Sequence, residues 1–176
     1  MIKKIISYVY MRIDPIGYAR KIGVMVGNKC RIGITAWGSE PYLISIGNEV
    51  LISSRVSFIN HDGATWVFRN KPEYKGISKF GQIKIGNRCF IGWGATLLPG
   101  AEMGNNSVLA AGAVLSKKIP AGEIWGGGVP AKYIMKVDEF AEKCKQGKGN
   151  VLIGSGNKRE ILEEYFLEVK HNGTKI

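Results

Sequence analysis

The chain has 176 residues, 45% of them hydrophobic, and carries a formal net charge of +11 at neutral pH. That length suits one domain with a real core. The basic balance fits acidic partners such as cofactor phosphates, an anionic glycan, nucleic acid or a membrane surface, and equally fits ordinary solubility charge. No block of like charges marks a nucleic-acid-binding tail. The three cysteines, Cys30, Cys89 and Cys144, are odd in number and show no CxxC spacing, which argues against a disulfide framework and for a cytoplasmic setting. Lys3-Lys4 ahead of IISYVYM superficially resembles a leader, yet the run is short, holds tyrosines and precedes no A-x-A site. No stretch approaches the ~20 apolar residues that span a bilayer.

Taken in order, Ile2, Ile5, Ile6, Val9 and Ile13 share one face of a short amphipathic helix over residues 2–11, which Asp14-Pro15 breaks. This segment, within an N-terminal cap of residues 1–22, covers an open end of the fold or, with Lys3, Lys4 and Arg12 flanking it, makes a peripheral membrane contact. A six-residue phase begins at Val26-Gly27 as VGNKCR and IGITAW. It is interrupted over residues 38–45 by GSEPYLIS, and resumes as IGNEVL, ISSRVS and FINHDG. A second interruption, aromatic and basic, covers residues 63–81 before Ile83 and Ile85 restore the phase.

The phase is clearest over residues 85–120, where Ile85, Ile91, Leu97, Met103, Leu109 and Leu115 recur at six-residue spacing. Four positions after each stand Cys89, Ala95, Ala101, Ser107, Ala113 and Ile119, nearly all small. Neither a helix, repeating near 3.6, nor a hairpin sheet, repeating at 2, has this period. It predicts an all-β solenoid, a parallel β-helix over residues 23–136. Three hexapeptides make one triangular coil, aliphatics stack inward about 4.8 Å apart, and small residues turn the corners. Asn87 and Asn105-Asn106 suit those corners.

After Pro120, AGEIWGGGVPAKYI takes the chain off the repeat. A helical extension over residues 137–176 follows: Asp138 caps EFAEKCKQ, Gly147 ends it, and residues 158–168 form a last helix before a frayed tail that holds His171.

Only two histidines exist, and His61 is the one inside the repeat. It breaks the phase and opens the second insertion, and insertions of a solenoid loop out from one face, often the binding face. With His61-Asp62 ahead of a loop, IGNRCFIGWGATLLPG, AAGAVLSKKIPAG and GGGVPAKYI, the chain resembles the hexapeptide-repeat acyltransferases from residue 26 to 136. It is most similar to the branch of sugar and polysaccharide O-acetyltransferases, maltose and galactoside acetyltransferases and xenobiotic acetyltransferases.

The resemblance implies a left-handed coil, a homotrimer with active sites between subunits, acetyl-CoA as acyl donor and no metal. It implies His61 as general base for a sugar hydroxyl, with Asp62 beside it. The acceptor that orients the other imidazole nitrogen stays open among Asp62, a backbone carbonyl and another carboxylate. By motif position, Phe90 and Trp93 would line the pantetheine arm, Ala111 would offer backbone hydrogen bonds, Ser116 and Lys117 would lie nearer adenosine, and Lys132 would meet a phosphate. Trp93 and Met135 depart from the family pattern. Trp66, Arg69 and Tyr74 offer aromatic surface and charge to the acceptor, or form the loop's own small core. The implied activity is O-acetylation of a sugar in capsule, exopolysaccharide or O-antigen synthesis. Acetylation of a nucleotide-linked amino sugar, acetylation of a xenobiotic and a non-catalytic trimeric scaffold are the alternatives. A carbonic anhydrase of this fold needs three histidines around a metal, which the repeat lacks.

Overall fold

A computed structural model describes residues 2–147 and 149–168, with side chains from residue 7 onward. The chain divides into two compact units after Asp138. In the first, α1 (Ile2–Ile13) and α2 (Pro15–Lys21) precede a series of coils. The first coil is β1 (Met25–Val26), β2 (Arg31–Ile32) and β3 (Thr35–Ala36); the second is β4 (Ile44–Ile46), β5 (Leu51–Ile52) and β6 (Val56–Phe58). A hairpin of β7 (His61–Asp62) and β8 (Lys79–Phe80) interrupts them. Next come β9 (Ile83–Ile85), β10 (Phe90–Ile91) and β11 (Thr96–Leu97), then β12 (Glu102–Met103), β13 (Val108–Leu109) and β14 (Val114–Leu115). β15 (Lys118–Ile119), β16 (Glu123–Gly126) and β17 (Lys132–Lys136) complete the unit.

Successive strands enter three different parallel sheets in rotation, ordered β1-β4-β9-β12-β15, β2-β5-β10-β13-β16-β17 and β3-β6-β11-β14. Only β17 runs antiparallel to its neighbour in these three sheets. A chain that visits three parallel sheets in turn is a coil, the architecture that the six-residue spacing predicts. Inward ladders run Ile46–Ile85–Met103, Ile52–Ile91–Leu109 and Phe58–Leu97–Leu115, and all nine side chains are buried. Burying each contributes about 1.5–3 kcal/mol. Cys89, Ala95, Ala101, Ser107 and Ala113 are buried just past the corners, where a larger side chain would collide with the ladders.

The corner between the first and second sheets is held by an asparagine ladder. Asn48 Oδ1 accepts from the Asn28 N–H, Asn87 Oδ1 from Asn48 and Asn105 Oδ1 from Asn87, each at 2.8 Å. The next residue turns left-handed at Lys29, Glu49, Arg88 and Asn106. Spending the amide on the coil below compensates that strained backbone.

Two expectations are corrected. Ile119 is not a corner residue: it pairs with Met103 and fills the inward slot itself, because the corner after Leu115 consists of Ser116-Lys117 alone and the coil is shorter than eighteen residues. Asp14-Pro15 does not merely break a helix. Asp14 accepts from the Gly17 N–H at 2.8 Å and Pro15 occupies the first turn, so the pair starts α2. Ala19 of α2 is fully buried, with Ile16, Tyr18 and Ile22 packed on the core beside it. On α1, Val9 and Ile13 are exposed, while the Ile2, Ile5 and Ile6 side chains lie outside the described residues.

The second unit holds most of α3 (Val137–Gln146) and all of α4 (Lys158–Leu167). α3 starts one residue before the expected cap Asp138, and Asn157 caps α4 by accepting from the Arg159 N–H at 3.1 Å. The tail with His171 lies outside the described residues. Among the described residues no helix is long and apolar enough to cross a membrane.

Candidate active site

The second insertion is a hairpin whose base is His61. β7 and β8 pair antiparallel, His61 with Phe80 and Asp62 with Lys79. The two rings of the first pair meet edge to face at 6.3 Å between centroids. A short turn of helix, Gly63–Val67, follows at once. Asp62 starts that turn: its carboxylate accepts from the Ala64 N–H at 3.0 Å and takes an ion pair from Lys79 at 3.2 Å. The Ala64 N–H first, then the Lys79 ammonium, hold the Asp62 carboxyl below the ordinary carboxylate range. Asp62 therefore closes the hairpin and does not reach the imidazole beside it, as extended neighbours on opposite faces must.

The partner of His61 is Glu40, whose Oε2 lies 3.0 Å from His61 Nδ1. It comes from the first insertion, immediately before the short turn Pro41–Leu43. Gly38 lets the chain enter that insertion with φ +70°, where a Cβ would stand 2.7 Å from the Phe58 carbonyl oxygen. The Glu40 side chain is 15% exposed and that of His61 44%. An ionised carboxylate only accepts, so this contact requires a proton on Nδ1, which in the neutral imidazole leaves the Nε2 lone pair free to act as a base. Sequence reasoning left this carboxylate unnamed. The register supplies the signal: Ala36 pairs with Ser57, an offset of 21 residues, and Glu40 precedes His61 by 21.

Glu40, His61 and Asp62 line one cavity of about 260 Å³ with Trp66, Arg69 and Lys79. Trp66 is 65% exposed, and the Arg69 guanidinium lies over its ring at 4.6 Å. Tyr74 is not on this wall. It packs edge to face on Phe68 at 5.6 Å within the loop while staying exposed, so of the three expected acceptor residues it is the one turned toward the loop itself.

The expected donor residues are spread over several faces of the coil. Phe90 stands in the outward row of the second sheet, Arg31–Leu51–Phe90–Val108, which is mainly apolar, whereas the first sheet's outward row, Met25–Ser45–Lys84–Glu102–Lys118, is charged over its last three members. Trp93 and Ala111 occupy the corner between the second and third sheets. Trp93 is 53% exposed, with the Arg55 guanidinium over its ring at 5.1 Å. Gly92 allows that corner to stack, because a Cβ there would come within 2.3 Å of the Ala111 nitrogen. Ser116 and Lys117 form the corner between the third and first sheets, with the Lys117 ammonium 5.2 Å from the Trp125 ring. Lys132 is exposed on β17. Within this chain His61 thus shares an edge with Ser116 and Lys117, while Phe90, Trp93 and Ala111 lie off that edge.

A family model for the hexapeptide repeat of succinyl-transferase matches residues 82–117. Protein CapG of Staphylococcus aureus is 43% identical over 157 residues, covering 87% of this chain and 90% of its own length. The chain belongs to the hexapeptide-repeat acyltransferase family. It spans between 50% and 60% of the length of five further curated relatives. The fold of this family recurs in solved structures. A hexapeptide-repeat-containing acetyltransferase of Vibrio cholerae aligns over 72% of this chain and 81% of its own, with a TM-score of 0.56 and 19% identity. A galactoside acetyltransferase in complex with coenzyme A aligns over 72% and 71%, with a TM-score of 0.52 and 21% identity.

Proposed function

We propose that this hexapeptide-repeat protein is a coenzyme A-dependent O-acetyltransferase that moves an acetyl group from acetyl-CoA to a sugar hydroxyl in cell-surface polysaccharide synthesis. The observation that carries the proposal is the His61–Glu40 pair on the wall of an open cavity. A sugar hydroxyl is barely ionised near neutral pH, so its attack on a thioester needs a base within hydrogen-bond reach. His61 Nε2 takes the hydroxyl proton as the sugar oxygen bonds to the acetyl carbon. Glu40 holds Nδ1–H and stabilises the imidazolium that forms. The carbon–sulfur bond then breaks, and the proton passes from Nε2 to the departing thiolate. Atoms and charge balance with no other reactant.

The family resemblance makes the coil left-handed and the assembly a trimer, and the distribution of the proposed donor residues supports a site shared between subunits. Phe90, Trp93 and Ala111 do not share the edge that carries His61, so a donor lying on them reaches an imidazole of a neighbouring subunit. The mainly apolar outward row of the second sheet suits such a boundary, and the charged stretch Lys84–Glu102–Lys118 of the first suits water. Close coil stacking at Gly92 and Ala111 gives a thin wall that a pantetheine arm can approach. Lys117 and Lys132 place positive charge toward the phosphates. The galactoside acetyltransferase of like fold, solved with coenzyme A, supports the choice of donor and acceptor. Incubating the protein with acetyl-CoA and a panel of free, lipid-linked and polymeric sugars, and following released thiol, tests the reading. Thiol release that depends on the sugar supports it; none with any sugar contradicts it.

A further inference from the structure

The cavity beside His61 holds four formally charged side chains, and three of them are satisfied within the protein. Glu40 accepts from His61, and Asp62 is paired with Lys79. Arg69 is the exception: among the described residues the one partner of its side chain is the Trp66 ring beneath it. Stacking uses the flat face of a guanidinium and leaves its in-plane N–H donors for something else. Arg69 is half-buried, so the cost of withdrawing it from water is only partly recovered by the indole.

The backbone fixes this arrangement. Trp66 lies in the helical turn that Asp62 caps, and the Arg69 N–H bonds to the Thr65 carbonyl at 2.9 Å, which sets Arg69 over the ring three residues before it. Stacking on the indole restricts the guanidinium before any ligand arrives, so less rotamer entropy remains to be lost on binding. A planar fork of N–H donors matches a carboxylate in two parallel bonds.

Resting on the acetyl-transfer reading, we infer that the acceptor is an acidic sugar, and that Arg69 binds its carboxylate while Trp66 presents an aromatic wall to the sugar and His61 addresses a hydroxyl on the same residue. The donor does not supply this anion. Its thioester must stand at His61, in the same cavity as Arg69, whereas its phosphates lie at the far end of the pantetheine arm. Glu40 and Asp62 would repel a carboxylate, but each is committed to its own cation or N–H partner, and Arg69 with Lys79 offsets them. Specificity then follows from a site built to pair a charge: a neutral sugar leaves the guanidinium unsatisfied.

The test uses the full chain, acetyl-CoA, and a uronic-acid-containing oligosaccharide beside the same oligosaccharide with its carboxyl groups reduced to alcohols. A phosphorylated counterpart forms a third arm. Thiol release gives kcat/KM, and saturation-transfer NMR without acetyl-CoA gives binding. The expected result is a preference of about 10- to 100-fold for the carboxylated sugar, the scale of hydrogen bonds to a charged group. Arg69→Gln collapses that ratio to about twofold, and Arg69→Lys retains part of it. Equal kcat/KM on the carboxylated and reduced sugars, a preference that survives Arg69→Gln, or a stronger preference for the phosphorylated sugar overturns the inference. The two readouts separate it from the reading beneath it. Thiol release without selectivity leaves acetyl transfer standing and removes the acidic acceptor. Selective binding without thiol release does the reverse.

Discussion

Replacing Glu40 isolates what the carboxylate contributes to His61. Its Oε2 stands 3.0 Å from Nδ1 on a side chain only 15% exposed, so water replaces it poorly. The bond runs to a ring that becomes cationic as it takes the hydroxyl proton, and it strengthens as charge develops. Hydrogen bonds to charged groups contribute about 1.5–3 kcal/mol, which is roughly 10- to 150-fold in rate. Glu40→Ala should therefore lower kcat by that factor. Glu40→Gln keeps an acceptor for Nδ1–H but loses the negative charge, and should fall between the two, near tenfold. KM for acetyl-CoA should not move, because Glu40 acts through the imidazole and is none of the proposed donor contacts. Steady-state kinetics by thiol release measures both parameters, and thermal unfolding verifies that each variant is folded. Native kcat in Glu40→Ala refutes the reasoning, and so does a rise in KM for acetyl-CoA with kcat unchanged.

Two further outcomes follow. Leu97 is fully buried between Phe58 and Leu115, so Leu97→Ala should cost about 2–5 kcal/mol and lower Tm by roughly 4–20 °C at fixed protein concentration. A Tm within a degree of the parent would contradict the stacked ladder. The Asp62 carboxyl titrates below its ordinary 3.8, so its hold on the hairpin is fully present above that pH and is lost only as pH falls through the lowered value. The protection factor of the Ala64 amide, taken against intrinsic exchange at each pH, should hold down to pH 4 and fall below it; loss of protection at pH 5 would show that Asp62 does not fasten the hairpin.

Much of the fold is legible because a coil enforces its rule at every turn. Each of Ile85, Ile91, Leu97, Met103, Leu109 and Leu115 must be apolar and each residue past a corner small, so the pattern repeats in the chain itself. The rule hides its own exception at Ile119. An aliphatic residue at a corner position looks tolerable, and nothing nearby announces that Ser116-Lys117 makes a two-residue corner. α2 was hidden for a different reason: Asp14-Pro15 stops one helix and starts the next with the same two residues. In the site, His61 is visible because it breaks the phase at the mouth of an insertion. Glu40 is not, since its relation to His61 appears only once Ala36 is known to pair with Ser57. Asp62 misleads by adjacency, which in an extended strand separates side chains. Tyr74 and Trp66 are both aromatics of one loop, and only packing decides that one closes on Phe68 while the other faces the cavity.

His61→Ala tests the central claim most directly. With acetyl-CoA and a competent sugar, the variant should lose roughly 10²- to 10⁴-fold in sugar-dependent thiol release, the scale of a general base. It should still elute with the parent's oligomeric state and bind coenzyme A. Near-native turnover in the folded variant would contradict the account.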